Sequence, residues 1–336
     1  MIVIKQKLRS KYNKKPFSLG RICFVGLFTC LSFVLFLPSS VSAIERTFGI
    51  VAKSIDDKNF IDAWQGCNAA ALENSDRCVL LGPTGAAHLR KQEQAILGAL
   101  ESGKYDGLAI SVIDSKHLAP IIKDANVPVI TFDSPLNKPY ASLSQSYVGI
   151  DNFELGQSLA ELAKLFLRGK EQFCLMTDMH DANLALRVSG VRQVLKASGS
   201  SSANAPNWYE WSRSPWNTSD KIDRSLIQLN GTLHSMGQGA VISVGQWPIL
   251  DEVEYREIAT PFFNQFDRQE IVVVLATGGH GVNVAESLLR DGLLHGYVSV
   301  DFYAIGSQIY QVLRNLSNGL NVEETYLIPV TKHFKE

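Results

Sequence analysis

The stretch "VPVITFDSPL", residues 127–136, joins an apolar strand to an acidic residue. Its first six residues form a short apolar run of the kind found inside a parallel sheet. Asp133 follows directly, and Ser134 and Pro135 then turn the chain. In open α/β sheets ligands bind outside the carboxyl ends of the strands. The stretch therefore predicts a buried strand whose terminal carboxylate lies at the wall of a cleft.

Short apolar strands alternate with amphipathic helices on both sides of this stretch, and the alternation restarts near residue 150. There are too many strands for one compact sheet. We therefore predict an α/β protein with two doubly wound parallel-sheet lobes. Strands are predicted at 47–52, 78–82, 106–112, 127–132, 147–150, 172–177, 207–211, 240–245, 271–277, 296–300 and 325–330.

The composition indicates a globular protein. The chain has 336 residues, 46% hydrophobic residues and a net charge of −1, so no basic excess favours nucleic-acid binding. The glycine-rich "ATGGHG" at 276–281 lacks the Lys-Ser/Thr of a P-loop and the spacing of a dinucleotide fingerprint. No hydrolase elbow and no zinc motif occurs. We therefore predict no enzymatic activity, cofactor or metal.

The N-terminus has the layout of a secretory signal peptide. Lysines and arginines precede an apolar run of 16 residues, 22–37, and "PSSVSA" then ends at Ala43. A membrane-spanning helix needs about 20 residues, so an uncleaved anchor is the less favoured alternative. We expect residues 1–43 to be removed near Ala43 and the mature chain to reside in the periplasm.

Two cysteines and three tryptophans could each belong to the core or have another role. Cys67 and Cys78 are close enough in sequence to form a disulfide outside the cytoplasm, but we favour two buried, unpaired residues. Trp208, Trp211 and Trp216 could form a surface patch for a partner, and we favour a place in the core of a lobe.

Several motifs, taken in order, resemble periplasmic sugar-binding proteins of the ribose-binding (type I) class, whose ligand domain is shared with LacI-type repressors. The resemblance extends over about 47–333. Its motifs are "DDKNFIDAWQGCNAAA" (56–71), "VPVITFDSP" (127–135), "VGIDNFELGQSLAELA" (148–163), "HDANLALRVSGVRQVL" (180–195) and "LLRDGLLHGYVSVDFYAIG" (288–306).

The resemblance implies two discontinuous lobes joined by a three-strand hinge, with crossings near 150, 300 and 328. The leader is 1–43, the N-terminal lobe comprises 44–149 plus 301–328, and the C-terminal lobe comprises 150–300 plus 329–336. Closure about such a hinge buries the ligand.

The resemblance also implies ligand contacts on both lobes. Asp133 would accept hydroxyl hydrogen bonds and Arg187 would donate from the other lobe. Asn59 and Phe60 lie in the first loop and helix. Each has a plainer alternative: Asp133 as a turn former, Arg187 as a solvated residue or interlobe ion pair, Asn59 as a helix cap and Phe60 as core.

The chain also departs from the family pattern. Gln246 and Trp247 replace an Asn-Asp pair, and the tryptophan could equally be core. Gly278 stands where an acid is expected, and Val300 takes the place of a hinge glutamine, for which the neighbouring Asp301 could substitute. The ligand could therefore be a modified sugar, a cyclitol or a non-sugar molecule.

Two functions are compatible with this reading. The first is an exported solute-binding protein that delivers a small polar, sugar-like ligand to an ABC importer. The alternative is a periplasmic co-receptor for a membrane sensor kinase or chemoreceptor. A secreted hydrolase lacks a nucleophile–base pair, and the leader excludes a repressor.

Overall fold

The computed structural model describes residues 45–167, 172–197 and 208–335. The strands are β1 (Thr47–Val51), β2 (Arg77–Leu81), β3 (Gly107–Ile110), β4 (Val129–Phe132), β5 (Tyr147–Gly149), β6 (Gln172–Thr177), β7 (Tyr209–Glu210), β8 (Trp216–Asn217), β9 (Gly239–Ser243), β10 (Ile271–Gly278), β11 (Gly296–Val300), β12 (Thr325–Leu327) and β13 (Thr331–Phe334). The helices are α1 (Lys58–Leu72), α2 (Leu89–Ser102), α3 (Ser115–Lys123), α4 (Asn152–Phe166), α5 (Ala182–Ala197), α6 (Ile222–Ser235), α7 (Glu252–Ala259), α8 (Phe263–Asp267), α9 (His280–Arg290) and α10 (Phe302–Ser317). Short 3₁₀ helices cover Lys138–Leu143, Trp247–Ile249 and Thr260–Phe262.

The strands form two sheets, as the sequence predicts. The first has the order β12-β5-β4-β3-β1-β2 and is parallel throughout. The second has the order β13-β11-β10-β9-β6-β7, with β8 also paired to β6. Among the described strands only β13 runs antiparallel, beside β11. Most strands are buried apolar runs, which is typical of parallel sheets covered by helices.

The chain passes between the two sheets three times. After β5 it enters α4, which packs on the second sheet, and after β11 it enters α10, which packs on the first. The third passage separates β12 in the first sheet from β13 in the second. The sequence predicts one strand over 325–330, but Ile328–Val330 instead bridges the two sheets. The exact lobe boundaries given above stay a prediction.

Each sheet is covered by a closely packed helix pair with reciprocal glycines. A Cβ atom at Gly66 of α1 would overlap the backbone of Tyr303 in α10, and one at Gly306 would overlap the carbonyl of Ala63. The same device joins α4 and α5, where a Cβ at Gly156 would overlap the carbonyl of Arg187. Because α4 approaches α5 closely at Arg187, the contact fixes the position of the α5 backbone that carries this side chain.

The preference for unpaired cysteines is wrong. Cys67 of α1 and Cys78 of β2 form a disulfide with Cα atoms 5.9 Å apart. Sequence separation alone did not show that α1 packs directly on β2, which brings the two positions within bonding distance. Cys174 is buried and is not part of a disulfide.

The tryptophans belong to the second lobe, as favoured. Trp208 is 5% exposed and packs near Phe173, with ring centroids 6.5 Å apart. Trp211 and Trp216 are partly buried against the core of the same lobe. Of the described helices, none combines the length and the apolar character needed to cross a bilayer.

Candidate functional site

The carboxyl ends of the two sheets face each other and form the candidate site. Asn183, at the start of α5, donates through Nδ2 to the backbone oxygen of Asp133 and to Oγ of Ser134, both at 2.9 Å. These bonds join the residues after β4 to the helix after β6. Because the carboxyl ends of open parallel sheets are where ligands bind, the side chains on both walls are candidate ligand contacts.

Asp133 is held in a sparsely populated backbone conformation at the end of β4. Its φ is +56°, which is uncommon for a non-glycine residue and recurs at functional sites. Oδ2 accepts from Oγ of Ser111 at 2.7 Å and lies 3.3 Å from Nζ of Lys53. Burial opposes ionisation, but the charges of Lys53 and Arg187 and the Ser111 hydroxyl lower the pKa of Asp133 below its ordinary value. The second oxygen, Oδ1, has no protein partner among the described residues, so Asp133 is a charged acceptor with a free oxygen.

Lys53 links the two walls. It follows β1, and its Nζ lies 3.3 Å from Asp133 and 3.6 Å from Oδ2 of Asp181 on the opposite lobe. Asp181 also caps α5, because its Oδ1 accepts from the amide of Asn183 at 2.8 Å. Burial alone would lower the pKa of Lys53, but Asp133 and Asp181 raise it above its ordinary value. The lysine is therefore charged and engaged on both sides.

Arg187 reaches the same space from α5. Its Nε donates to Oδ1 of Asn152 at 2.7 Å, and Nη1 donates to the carbonyl of Val244 at 2.9 Å. Burial lowers the pKa of Arg187, although the charges of Asp133 and Asp181 oppose that shift. Nη2 has no hydrogen-bond partner in the described chain. The guanidinium is therefore fixed by two bonds and keeps a donor available.

Asn59 and Phe60 of α1 lie in different surroundings. Phe60 is 5% exposed, and its ring packs edge-on against Phe132 at 5.9 Å and Phe302 at 6.5 Å. It lies in the core, and ligand contact by Phe60 stays a prediction. The amide of Asn59 donates to Oδ1 of Asp57, the N-cap of α1, while its own Oδ1 is buried without a partner.

The residues that depart from the family pattern occupy one end of the site. Oε1 of Gln246 accepts from Oγ1 of Thr277 at 2.9 Å and from the amide of Gly278 at 3.2 Å. Trp247 is 7% exposed, and its Nε1 donates to Oδ1 of Asp220 at 2.6 Å. Trp247 is therefore largely buried, and its indole N–H faces an exposed residue, Asp220.

Gly278 is surrounded by the protein's own side chains. A Cβ there would lie 2.9 Å from Cε2 of Phe302 and 3.0 Å from Oδ1 of Asn59. The expected acid at this position does not fit without displacing them. Asp301, the predicted substitute for the hinge glutamine, is exposed, and its Oδ1 caps α10 by accepting from the amide of Ala304 at 2.8 Å. Ligand contact by Asp301 stays a prediction.

The structure also brings residues to the site that the sequence did not single out as ligand contacts. Asp57 is exposed, and the pKa of its carboxyl is raised by partial loss of hydration and by the charges of Asp133 and Asp220. Lys53 and Ser111 follow strands of the first sheet, which is a signal that could have identified them. Asp57 and Asp220 belong to turns and carry no such signal.

The sequence matches the model of the periplasmic binding protein domain over residues 48–321. The chain therefore belongs to the periplasmic binding protein family, and its fold is the two-lobed fold of the type I class. The predicted resemblance and fold class are confirmed. No curated protein sequence is significantly similar to the chain.

Solved structures show the same fold at low sequence identity. An ABC transporter solute-binding protein from Agrobacterium vitis, with bound D-fucose, has a TM-score of 0.72 and 17% identity over 86% of this chain and 95% of its own. A solute-binding protein from Burkholderia graminis, in complex with D-arabinose, has a TM-score of 0.70 and 20% identity over 87% and 96%. A chain of the XylFII–LytSN complex has a TM-score of 0.67 and 18% identity over 87% and 98%.

Proposed function

We propose that the protein is an exported solute-binding protein that captures a small polar, sugar-like ligand between its lobes and delivers it to an ABC importer. Family membership supports this function, and so do the sugar-bound solute-binding proteins among the similar structures. A binding protein needs no catalytic residues, and we expect no enzymatic activity. We also propose that the leader is cleaved near Ala43, which N-terminal sequencing of the exported protein would test.

The observation that supports ligand capture best is the pairing of two fixed, incompletely bonded charges. Asp133 keeps Oδ1 free on one lobe, and Arg187 keeps Nη2 free on the other, while their remaining atoms are bonded to protein. A polyol offers hydroxyl groups that can donate to the carboxylate and accept from the guanidinium. Only the closed arrangement makes both contacts, so ligand binding favours closure.

Thermal-shift screening of the mature chain against sugars, cyclitols and related metabolites tests the proposal. Binding raises the melting temperature through mass action. We expect Asp133→Asn and Arg187→Gln each to weaken binding by about 10- to 100-fold, because each loses a charge-assisted hydrogen bond worth about 1.5–3 kcal/mol. Asparagine tolerates the positive φ at position 133, so the first variant should remain folded.

Arg290→Gln is the matched control, because Arg290 is 70% exposed on the same lobe and distant in sequence from the site. It should bind the ligand like wild type. Unchanged affinity in both Asp133→Asn and Arg187→Gln would remove the two residues from the ligand site. If no compound in a broad panel produces a shift, ligand capture itself is contradicted.

A periplasmic co-receptor is the second candidate, since one similar structure was solved as the XylFII–LytSN complex. Transport and sensing predict different consequences of deleting the gene. Loss of ligand uptake supports delivery to an importer. Normal uptake with loss of a ligand-induced transcriptional response supports sensing.

A further inference from the structure

We propose that Asp181 and Asn183 form an interlobe clamp, which holds the cleft closed and positions the carboxylate of Asp133 for the ligand. Asp181 lies directly before α5 and Asn183 in its first turn, on the second lobe. Their partners, Lys53, Asp133 and Ser134, follow strands of the first sheet. The proposal rests on the proposed function, because it takes Asp133 as a ligand contact.

Asn183 reaches across the cleft with both of its amide hydrogens. Its Nδ2 donates to the backbone oxygen of Asp133 and to Oγ of Ser134, each at 2.9 Å, and a side-chain amide has two N–H donors. Asn183 is 8% exposed. The hydroxyl of Tyr147, on the first lobe, donates to the same oxygen of Asp133 at 3.1 Å. The backbone of Asp133 is therefore held from both lobes in its positive-φ conformation.

Ser134 passes this constraint on to the carboxylate. Its Oγ accepts from Asn183 and also from Nζ of Lys53 at 2.6 Å. A hydroxyl has two acceptor sites and one proton, so the proton is left to donate to Oδ2 of Asp133, 3.3 Å away. Ser111 donates to that oxygen at 2.7 Å. Protein donors therefore occupy Oδ2, and Oδ1 remains for the ligand.

Asp181 both places Asn183 and forms a contact of its own across the cleft. Its Oδ1 accepts from the amides of Asn183 at 2.8 Å and Leu184 at 3.1 Å, which fixes the start of α5. Its Oδ2 lies 3.6 Å from Nζ of Lys53. Because Asp181 is 33% exposed, this ion pair contributes less than the two hydrogen bonds of Asn183.

The contacts of the clamp depend on closure of the cleft. They join the carboxyl ends of the two sheets, and a hinge movement that opens the cleft separates those ends. The protein's own groups therefore stabilise the closed arrangement. A ligand that needs this arrangement binds more tightly as the closed fraction rises, so the clamp increases affinity through closure and through the position of Asp133.

Distances between two spin labels on the mature chain, with no sugar added, test the proposal. Ala86 and Lys221, each replaced by cysteine, are exposed and follow β2 and β8. These strands lie away from β5, β11, β12 and β13, where the chain crosses between the sheets, so opening increases the distance between the labels. Cys174 is buried, and the remaining cysteines of the mature chain form the disulfide.

We expect the short distance of the closed arrangement to dominate in the wild type. Asn183→Ala should lower the ratio of closed to open molecules at least about tenfold, because two buried hydrogen bonds are lost. Asp181→Asn keeps an oxygen to cap α5 and should lower the ratio about threefold, as for a partly exposed ion pair.

Ser134→Ala tests the same contact from the first lobe, also in case Asn183→Ala does not fold. It should favour the open arrangement, and its effect should be smaller in the background of Asn183→Ala, because the two residues share a bond. Asn264→Ala is the matched control, because Asn264 is exposed on α8 of the second lobe. It should leave the distances unchanged.

Two results would overturn the proposal: a wild-type chain that is mainly open, or clamp variants with the distances of the wild type. Neither result bears on ligand capture, which the thermal-shift panel tests separately. The clamp and the proposed function can therefore fail independently.

Discussion

Replacement of Lys53 by methionine removes the side chain that forms ion pairs with acids on both walls of the cleft. Lys53 is 19% exposed and lies 3.3 Å from Asp133 and 3.6 Å from Asp181. Methionine has a similar length and no charge, so the variant leaves two carboxylates without their ion-pair partner. Breaking a buried ion pair in this way costs about 3–5 kcal/mol. Because Asp181 is 33% exposed, we expect the lower value, about 3 kcal/mol.

The pH dependence of the loss in stability of Lys53→Met gives a second readout. In the wild type the pKa of Asp133 is lowered, so its contribution to stability is present above the ordinary value of 3.8 and is lost as the pH falls through the folded-state pKa. The charge of Lys53 is the largest contribution that lowers this pKa, so without Lys53 the pKa of Asp133 is higher than in the wild type. Ionised Asp133 then stabilises the variant less than it stabilises the wild type. The difference from wild type should be larger at pH about 7 than at pH about 4.

Urea unfolding of the mature chain at both pH values measures these differences. Lys116→Met is the matched control, because Lys116 is exposed on α3 of the same lobe, and it should change the free energy of unfolding by less than about 0.5 kcal/mol. A Lys53→Met variant as stable as this control, or a loss that does not depend on pH, would refute the electrostatic account of the site.

Three other predictions follow from the packing. Replacing Cys67 and Cys78 together by alanine should lower the free energy of unfolding by about 3 kcal/mol, because the disulfide closes a loop with a sequence separation of 11; equal stability of the wild type with and without reductant would contradict this. His295 is buried, accepts from the amide of Val273 and has a lowered pKa, so stability should be unaffected above about pH 6.5 and should fall as the pH drops below it. A His295→Gln variant with an unchanged pH profile in urea unfolding would argue against that assignment. Gly156→Ala should push α4 away from α5 and lower the free energy of unfolding by about 2 kcal/mol or more. It should also weaken ligand binding, because it displaces Arg187. Gly98→Ala, where a Cβ meets nothing within 4 Å, should change neither stability nor binding in this way.

The sequence was sufficient for the architecture because buried parallel strands leave a strong signal. Nearly every predicted strand is found in one of the two sheets, and the restart of the pattern near residue 150 marks the passage to the second sheet. Local apolar runs do not determine where a strand ends. The segment 325–330 was therefore predicted as one strand, although β12 ends at Leu327.

The candidate site was predicted only in part. Asp133 and Arg187 could be identified because they follow recognisable strand and helix patterns. Lys53 and Asp181 form a bridge between residues far apart in sequence, and no local pattern predicts such a pair. The space around Gly278 is filled by Asn59 and Phe302 from elsewhere in the chain, so the missing acid could be noticed from sequence but its structural reason could not.

The disulfide shows the same limit. The spacing of Cys67 and Cys78 was compatible with both outcomes, and only the packing of α1 on β2 decides between them.

The most direct test is a crystal structure of the mature chain with the tightest-binding compound from the ligand panel. The account predicts that the compound lies between the two sheets, donates to Oδ1 of Asp133 and accepts from Nη2 of Arg187. A compound bound elsewhere, or bound in the cleft without contact to either residue, would contradict it.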